Sequence, residues 1–213
     1  MDTINYILSI DPGAKGFLSV LHVARELVME CIPIPTWKVK VNKKDRTKVD
    51  EENLSKQIHL LVDKYKVTEI IIEEQRVQAG QGLTSTGSTM QHFGWLKGFC
   101  DGKQIQKTVV PPKEWQTIYP TFINLDTKLL NVIKEFNKTK ERLKDPLLEK
   151  LGDFPVSLLV PKEKSKLYCS NLYPTVDLRR TTKCTGISDG KTDSILIGVW
   201  KIKQLKLTNN IAA

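Results

Sequence analysis

The chain has no close pair of cysteines, no cluster of histidines and no long apolar run, and each absence excludes a class of protein. Cys31, Cys100, Cys169 and Cys184 lack the short spacing of a zinc knuckle or a dithiol redox pair, so free thiols in a reducing compartment are expected. His22, His59 and His92 have neither a second histidine nor a cysteine at a ligand-like interval, which argues against structural zinc. No apolar stretch approaches the roughly 18 residues that cross a bilayer. The first one, Tyr6 to Ile10, runs straight into Asp11 and a Pro-Gly turn rather than into a secretory cleavage site. The expectation is a soluble, intracellular protein without a targeting segment and without a membrane partner. What the 213 residues do hold in excess is positive charge: 33 Lys+Arg against 24 Asp+Glu, a formal net charge of +9. That surplus suits a polyanionic partner, and the 40% apolar share is enough for one folded domain over residues 1–213.

Hydrophobic patterning orders the chain as an α/β protein. Ile4 to Ile10 and Phe17 to Val23 flank the turn Pro12-Gly13 as a β-hairpin, and Leu27 to Ile34 adds a third strand. The basic stretch Lys38, Lys40, Lys43, Lys44, Arg46 and Lys48 is expected to be a mobile loop. Leu54, Ile58, Leu61 and Val62 recur at helical spacing within Glu51–Tyr65, ahead of a buried strand over Thr68 to Ile72. A helix over Met90 to Phe99 and a strand over Gln104 to Val110 follow, and Lys113 to Ile118 reads as a short helical turn after Pro111-Pro112. Residues 117–160 read as an insertion containing a Lys-rich helix over Leu129 to Leu143. Lys162 to Leu172 is helical, and Asp189 to Leu207 is a final amphipathic helix.

That last helix carries the sharpest chemical signal. At 100° per residue its apolar stripe of Leu196, Ile197, Trp200 and Leu207 also passes through Asp189 and Asp193, two acids one turn apart at the head of a buried face. Two further acids end strands: Asp11 before the Pro-Gly turn, and Glu73-Glu74 after Ile70-Ile71-Ile72. Strand neighbours face opposite ways, so only one of the two glutamates can share a given face, and register decides which. Acids gathered from separate elements are how proteins hold hard divalent cations, and a pair of such ions supports in-line attack on a phosphodiester.

Ile7-Leu8-Ser9-Ile10-Asp11-Pro12-Gly13, Ile70 to Gln75 and Asp189-Gly190-Lys191-Thr192-Asp193-Ser194-Ile195-Leu196-Ile197-Gly198 resemble, in this order, the three motif segments of RuvC-type Holliday junction resolvases of the retroviral integrase and RNase H-like superfamily. The basic loop, the segment Gly80 to Gly98, the Pro112 to Trp115 turn and Leu172-Tyr173-Pro174 resemble chloroplast and phage-like members most. The resemblance implies an RNase H-like mixed five-stranded sheet flanked by helices and a crossover junction endonuclease. It also implies catalytic metal ligands Asp11, Glu74, Asp189 and Asp193 holding two Mg²⁺ or Mn²⁺ ions. Glu74 is preferred over Glu73 because the family's Glu immediately precedes its Gln. The last two acids stand four residues apart rather than the three usual in bacterial members.

The resemblance further implies a homodimer acting on branched DNA, above all four-way junctions, with the Gly87 to Phe99 helix as a candidate subunit contact. Lys43, Lys44, Arg46, Lys113, Lys164 and Lys166 are candidate phosphate contacts, and Arg76, Gln78 and Gln81 are candidates to enter the junction centre. Two other readings compete. Asp11 to Gly16 also resembles the first phosphate loop of actin-like ATPases and sugar kinases, although a second phosphate hairpin and an adenosine motif are missing. A junction-binding protein that no longer cleaves would keep the same basic surface.

Overall fold

Alternating apolar residues in five strands build the central sheet, which the computed structural model describes together with its helices over residues 6–41, 44–77, 83–120, 122–124, 153–155 and 161–211. β1 (Tyr6–Ile10), β2 (Phe17–His22) and β3 (Leu27–Pro33) form an antiparallel meander, and β6 (Glu69–Glu73) and β7 (Gln106–Val110) extend it in parallel. The spatial order is β3-β2-β1-β6-β7, the mixed sheet with an antiparallel start of an RNase H-like α/β fold. Both parallel neighbours of the sheet enter from connecting helices, as parallel strands require.

One face of this sheet is hydrocarbon. Leu8, Ile10, Leu18, Val20, Ile70 and Ile72 pack with Leu54, Ile58 and Leu61 of α1 (Glu51–Tyr65) and with Phe93, Leu96 and Cys100 of α2 (Leu83–Gly102). Asp50 caps α1 by accepting from the Asn53 amide at 3.1 Å, which fixes the start that its apolar spacing implied. The other face carries α5 (Asp189–Ile211) across β1, β2 and β6. Small residues let that helix approach closely. A Cβ on Gly198 would stand 2.5 Å from Leu21 and 2.9 Å from the Ser9 hydroxyl. Ser9 donates to the Ser194 carbonyl at 2.6 Å, and the Ser19 and Ser194 hydroxyls share a 2.6 Å hydrogen bond. Further along, Lys201 reaches Glu69 at 2.6 Å, and Thr108 of β7 donates to the same carboxylate.

Two expectations are corrected here. The basic stretch is no loop: β4 (Thr36–Val41) and β5 (Lys44–Val49) pair as an antiparallel hairpin, with Trp37 opposite Lys48 and Val39 opposite Arg46. Charged side chains hid a period-two pattern that Trp37, Val39 and Val41 carry on one strand. The last helix is not amphipathic throughout, because every residue from Ser194 to Trp200 is buried while Leu207, expected on the apolar stripe, is 57% exposed. A helix laid on a sheet and covered again by α3 (Pro112–Trp115) has no solvent side over its middle turns.

The chain divides into two compact units, 1–116 with 178–213, and 117–177. Within the second, β8 (Phe122–Asn124) pairs antiparallel with β9 (Asp153–Pro155), α4 spans Pro161–Leu172, and the Tyr119 and Ser165 hydroxyls are 2.7 Å apart. The helix expected over Leu129 to Leu143 lies outside the described residues. Among the described residues no helix is long and apolar enough to cross a membrane.

Candidate active site

Register decides which acids meet. Ile10 of β1 lies beside Ile72 of β6 in parallel, so the next residue on each strand brings Asp11 beside Glu73 at the carboxyl ends of the two central strands. Both side chains fall on the α5 face, because Ile10 and Ile72 belong to the opposite core. Their proximity has an electrostatic signature. Burial pushes the Glu73 carboxyl up from 4.5 to about 7, and the negative charge of Asp11 adds to the rise. Two hydrogen bonds work against it: Trp115 Nε1 donates to Glu73 Oε1 at 2.9 Å, and Gln75 Nε2 donates to Oε2 at 3.2 Å.

The turn after β1 holds Asp11 in place. The Gly13 amide donates to Asp11 Oδ1 at 3.3 Å, the Asp11 amide donates to the Phe17 carbonyl at 3.1 Å, and Gly16 closes onto Gly13 at 2.7 Å. Gly16 has no room for a side chain, since a Cβ there would sit 1.9 Å from the Asp11 carbonyl oxygen. From above, the first turn of α5 presses on the same carboxylate: a Cβ on Gly190 would lie 2.9 Å from Asp11 Oδ2 and 2.4 Å from the Lys15 carbonyl. The positive end of the helix dipole therefore adjoins Asp11.

Asp193 follows Gly190 by three residues, on the same flank of α5. Its neighbour Ser194 bonds Ser9, the strand partner of Ile71, so Asp193 lies about one helical turn deeper between helix and sheet than the contact of Gly190 with Asp11, and its Oδ1 is shut off from solvent. Asp189 is the first residue of α5 and half-buried.

Glu74, the glutamate that the resemblance selected, goes elsewhere. It faces away from Asp11 and is clamped by Arg76, whose Nε stands 2.7 Å and whose second terminal nitrogen 2.6 Å from Glu74 Oε2. Arg76, expected at the junction centre, is exposed apart from that surface pair. Trp115 and Gln75 are the residues that sequence reasoning did not assign to the site. Their only sequence signal was adjacency, the Gln following the paired glutamates and the Trp closing the Pro112 turn.

Of the expected DNA contacts, Arg46 and Lys113 are exposed, on β5 and α3. Lys164 is half-buried and Lys166 only 9% exposed, both on α4 of the second unit. Lys43, Gln78 and Gln81 lie outside the described residues, as does the side chain of Lys44.

No family model matches the chain, and no curated protein matches it. Solved structures do. The structural neighbours include Holliday junction resolvases. RuvC of T. thermophilus in complex with Holliday junction substrate has a TM-score of 0.48 at 10% identity, covering 92% of this chain and 90% of that one. The yeast mitochondrial Holliday junction resolvase gives 0.42 at 17% identity, over 96% and 82%. The fowlpox virus Holliday junction resolvase gives 0.37 at 13%, over 93% and 99%. The fold assignment stands on the strand order and register above, and the chemistry on the acids themselves.

The donor set fits a hard divalent cation. Among the described residues no three carboxylate, imidazole or thiol groups close into a ready-made cage. Mg²⁺ does not require one, because it keeps several waters and is held by one or two carboxylates together with substrate phosphate. Asp11 and Glu73 supply such a pair, and a cation between them would relieve the repulsion that raises the Glu73 carboxyl.

Proposed function

We propose that the chain is a Mg²⁺- or Mn²⁺-dependent, structure-selective DNA endonuclease that cuts four-way junctions by paired, symmetric nicks. The observation that carries this reading is the convergence of Asp11 and Glu73 on adjacent strand ends beneath the first turn of α5. In this reading Glu73 takes the role first expected of Glu74. Asp11 and Glu73 would hold the metal, with Asp189 and Asp193 on the first turns of α5 as the next oxygen donors in reach of a shift. Bound there, one or two divalent ions would activate water and stabilise the leaving oxygen of a phosphodiester. The chain's own groups do the rest. Trp115 and Gln75 fix the Glu73 carboxylate by both oxygens, and the Gly13 amide fixes one oxygen of Asp11. Exposed Arg46 and Lys113 supply phosphate contacts.

Symmetric nicking calls for two copies of the site related by a twofold axis, so the working form is a homodimer. The outward side of α2 suits a second copy: Gly87, Gly94 and Gly98 lie opposite the core residues, and among the described residues nothing would come within 4 Å of a Cβ placed on them. Phe93 and Leu96, by contrast, are spent on the core.

The test is a panel of four-way, three-way, flap and linear duplex DNA at fixed salt. Junction nicking with Mg²⁺ or Mn²⁺ is expected, and Asp11→Asn abolishes it while leaving junction binding in place. Binding without nicking by the wild type under every divalent ion would make the chain a junction-binding protein. ATP hydrolysis without DNA cleavage would place it with the actin-like ATPases.

A further inference from the structure

A cavity of about 340 Å³ opens between the β4–β5 hairpin, the start of α1 and the flank of α2. Trp37, Lys48, Glu51, Ser88, Gln91 and His92 line it. Its composition is unlike that of a packing defect. Trp37 is 56% exposed on a hairpin whose Lys38, Lys40, Arg46 and Lys48 are all exposed, so a large aromatic face stands in water among cations. His92 is the opposite case. It is only 5% exposed, yet neither ring nitrogen has a hydrogen-bond partner, and the nearest carboxylate, Glu51, is 3.9 Å from Nδ1. Trp95 stacks on the His92 ring with centroids 5.9 Å apart.

Resting on the reading that DNA is the substrate, we infer that this cavity holds an unstacked nucleobase, with Trp37 as its stacking platform and Glu51 and Gln91 reading its edge. Three features select that ligand class. An exposed aromatic flanked by Lys and Arg is how proteins bind single-stranded nucleic acid, the ring taking the base and the cations the backbone. The volume falls in the range of small-ligand pockets. The polar groups mix acceptors with donors, as a base edge does. Glu51 only accepts, so the site favours the bases with an exocyclic amino group, adenine, cytosine and guanine, over thymine. Burial holds the His92 ring neutral, its pKa pushed down to about 4, so the wall behind the base carries no charge of its own. Branched DNA offers such bases wherever strands part.

The experiment uses the full chain in EDTA, so that binding is read without cleavage. Fluorescence anisotropy is recorded with labelled oligo(dA), oligo(dC), oligo(dT), a blunt duplex and a four-way junction. Trp37→Ala is expected to weaken oligo(dA) and oligo(dC) binding by about 5- to 100-fold and to leave the duplex unchanged. Trp37→Tyr retains most of the affinity. Glu51→Gln, which keeps the shape, erases the preference over oligo(dT). Lys40→Ala, a charge control on the other face of the hairpin, weakens every DNA alike and lowers the salt slope by about one. Equal loss on single strands and duplex after Trp37→Ala, or no loss on any, overturns the inference while junction binding by the wild type leaves the nuclease reading intact. Dissociation of the dimer by Trp37→Ala without a change in single-strand affinity also overturns it, in favour of a subunit contact. A wild type that binds no DNA at all removes both.

Discussion

Along β1 and β6, the even-numbered residues Leu8, Ile10, Ile70 and Ile72 enter a hydrocarbon core with α1 and α2, whereas Ser9, Asp11, Glu69 and Glu73 face α5. The same two strands thus serve two chemistries. On the first face, stability comes from buried area and tight packing. On the second, small hydroxyls and glycines bring a helix so close that its first turn touches Asp11, and the acids gather at the strand ends where the helix begins. The contrast teaches that the polar face is held together for the sake of its edge, and that its weak points differ from those of the core.

The largest separation should appear between the two neighbouring glutamates. Glu73→Gln is expected to lower nicking by at least about a hundredfold, while Glu74→Gln, which only breaks a surface pair with Arg76, leaves it within a few fold. Comparable losses from both would mean that the two faces do not divide the chemistry as described. Next comes the ion pair beneath the site. Lys201→Met strands Glu69 and should cost about 3–5 kcal/mol in denaturant unfolding. Adding Glu69→Leu recovers most of that, because a hydrophobic pair of similar size needs no solvation.

The third comparison is with pH. Glu73 goes from 4.5 to about 7 on folding, so between those values the folded chain keeps a proton that the unfolded chain has released. Stability therefore falls as pH rises through that window, by at most on the order of 3 kcal/mol. Melting curves of the wild type should show this fall and those of Glu73→Gln should not, and Mg²⁺ should reduce it above pH 7. A pH-independent difference between the two proteins would show that burial and Asp11 do not govern this carboxyl. The smallest effect is steric. Gly190→Ala forces a Cβ against the Lys15 carbonyl, and about 1–3 kcal/mol of destabilisation is expected in chemical unfolding. Leaving stability untouched would mean that α5 can lift off the site.

Much of the apolar face was legible in the sequence. The spacing of Leu54, Ile58 and Leu61 placed α1 with both its ends, and the runs of Ile and Val placed the strands, because burial on one face is a local, periodic signal. The polar face was legible only in part. Asp193 stood out as an acid on an apolar stripe and Asp11 as an acid ending a strand, but the choice between Glu73 and Glu74 depended on the register of β6 against β1, and no local pattern encodes the pairing of residues some sixty positions apart. The β4–β5 hairpin was missed because lysines mark exposed edge strands as readily as loops. Helix α2 begins at Leu83, ahead of the expected Met90, since Thr, Ser and Gly are weak helix formers that tertiary packing overrides.

The indole of Trp115, only 1% exposed, donates its single N–H to the carboxylate at the heart of the site. That bond makes the ring a resident optical gauge. Whatever discharges or captures Glu73, whether a proton or an incoming cation, changes the field across a fluorophore sealed from water, so the emission of this tryptophan reports occupancy before any strand is cut.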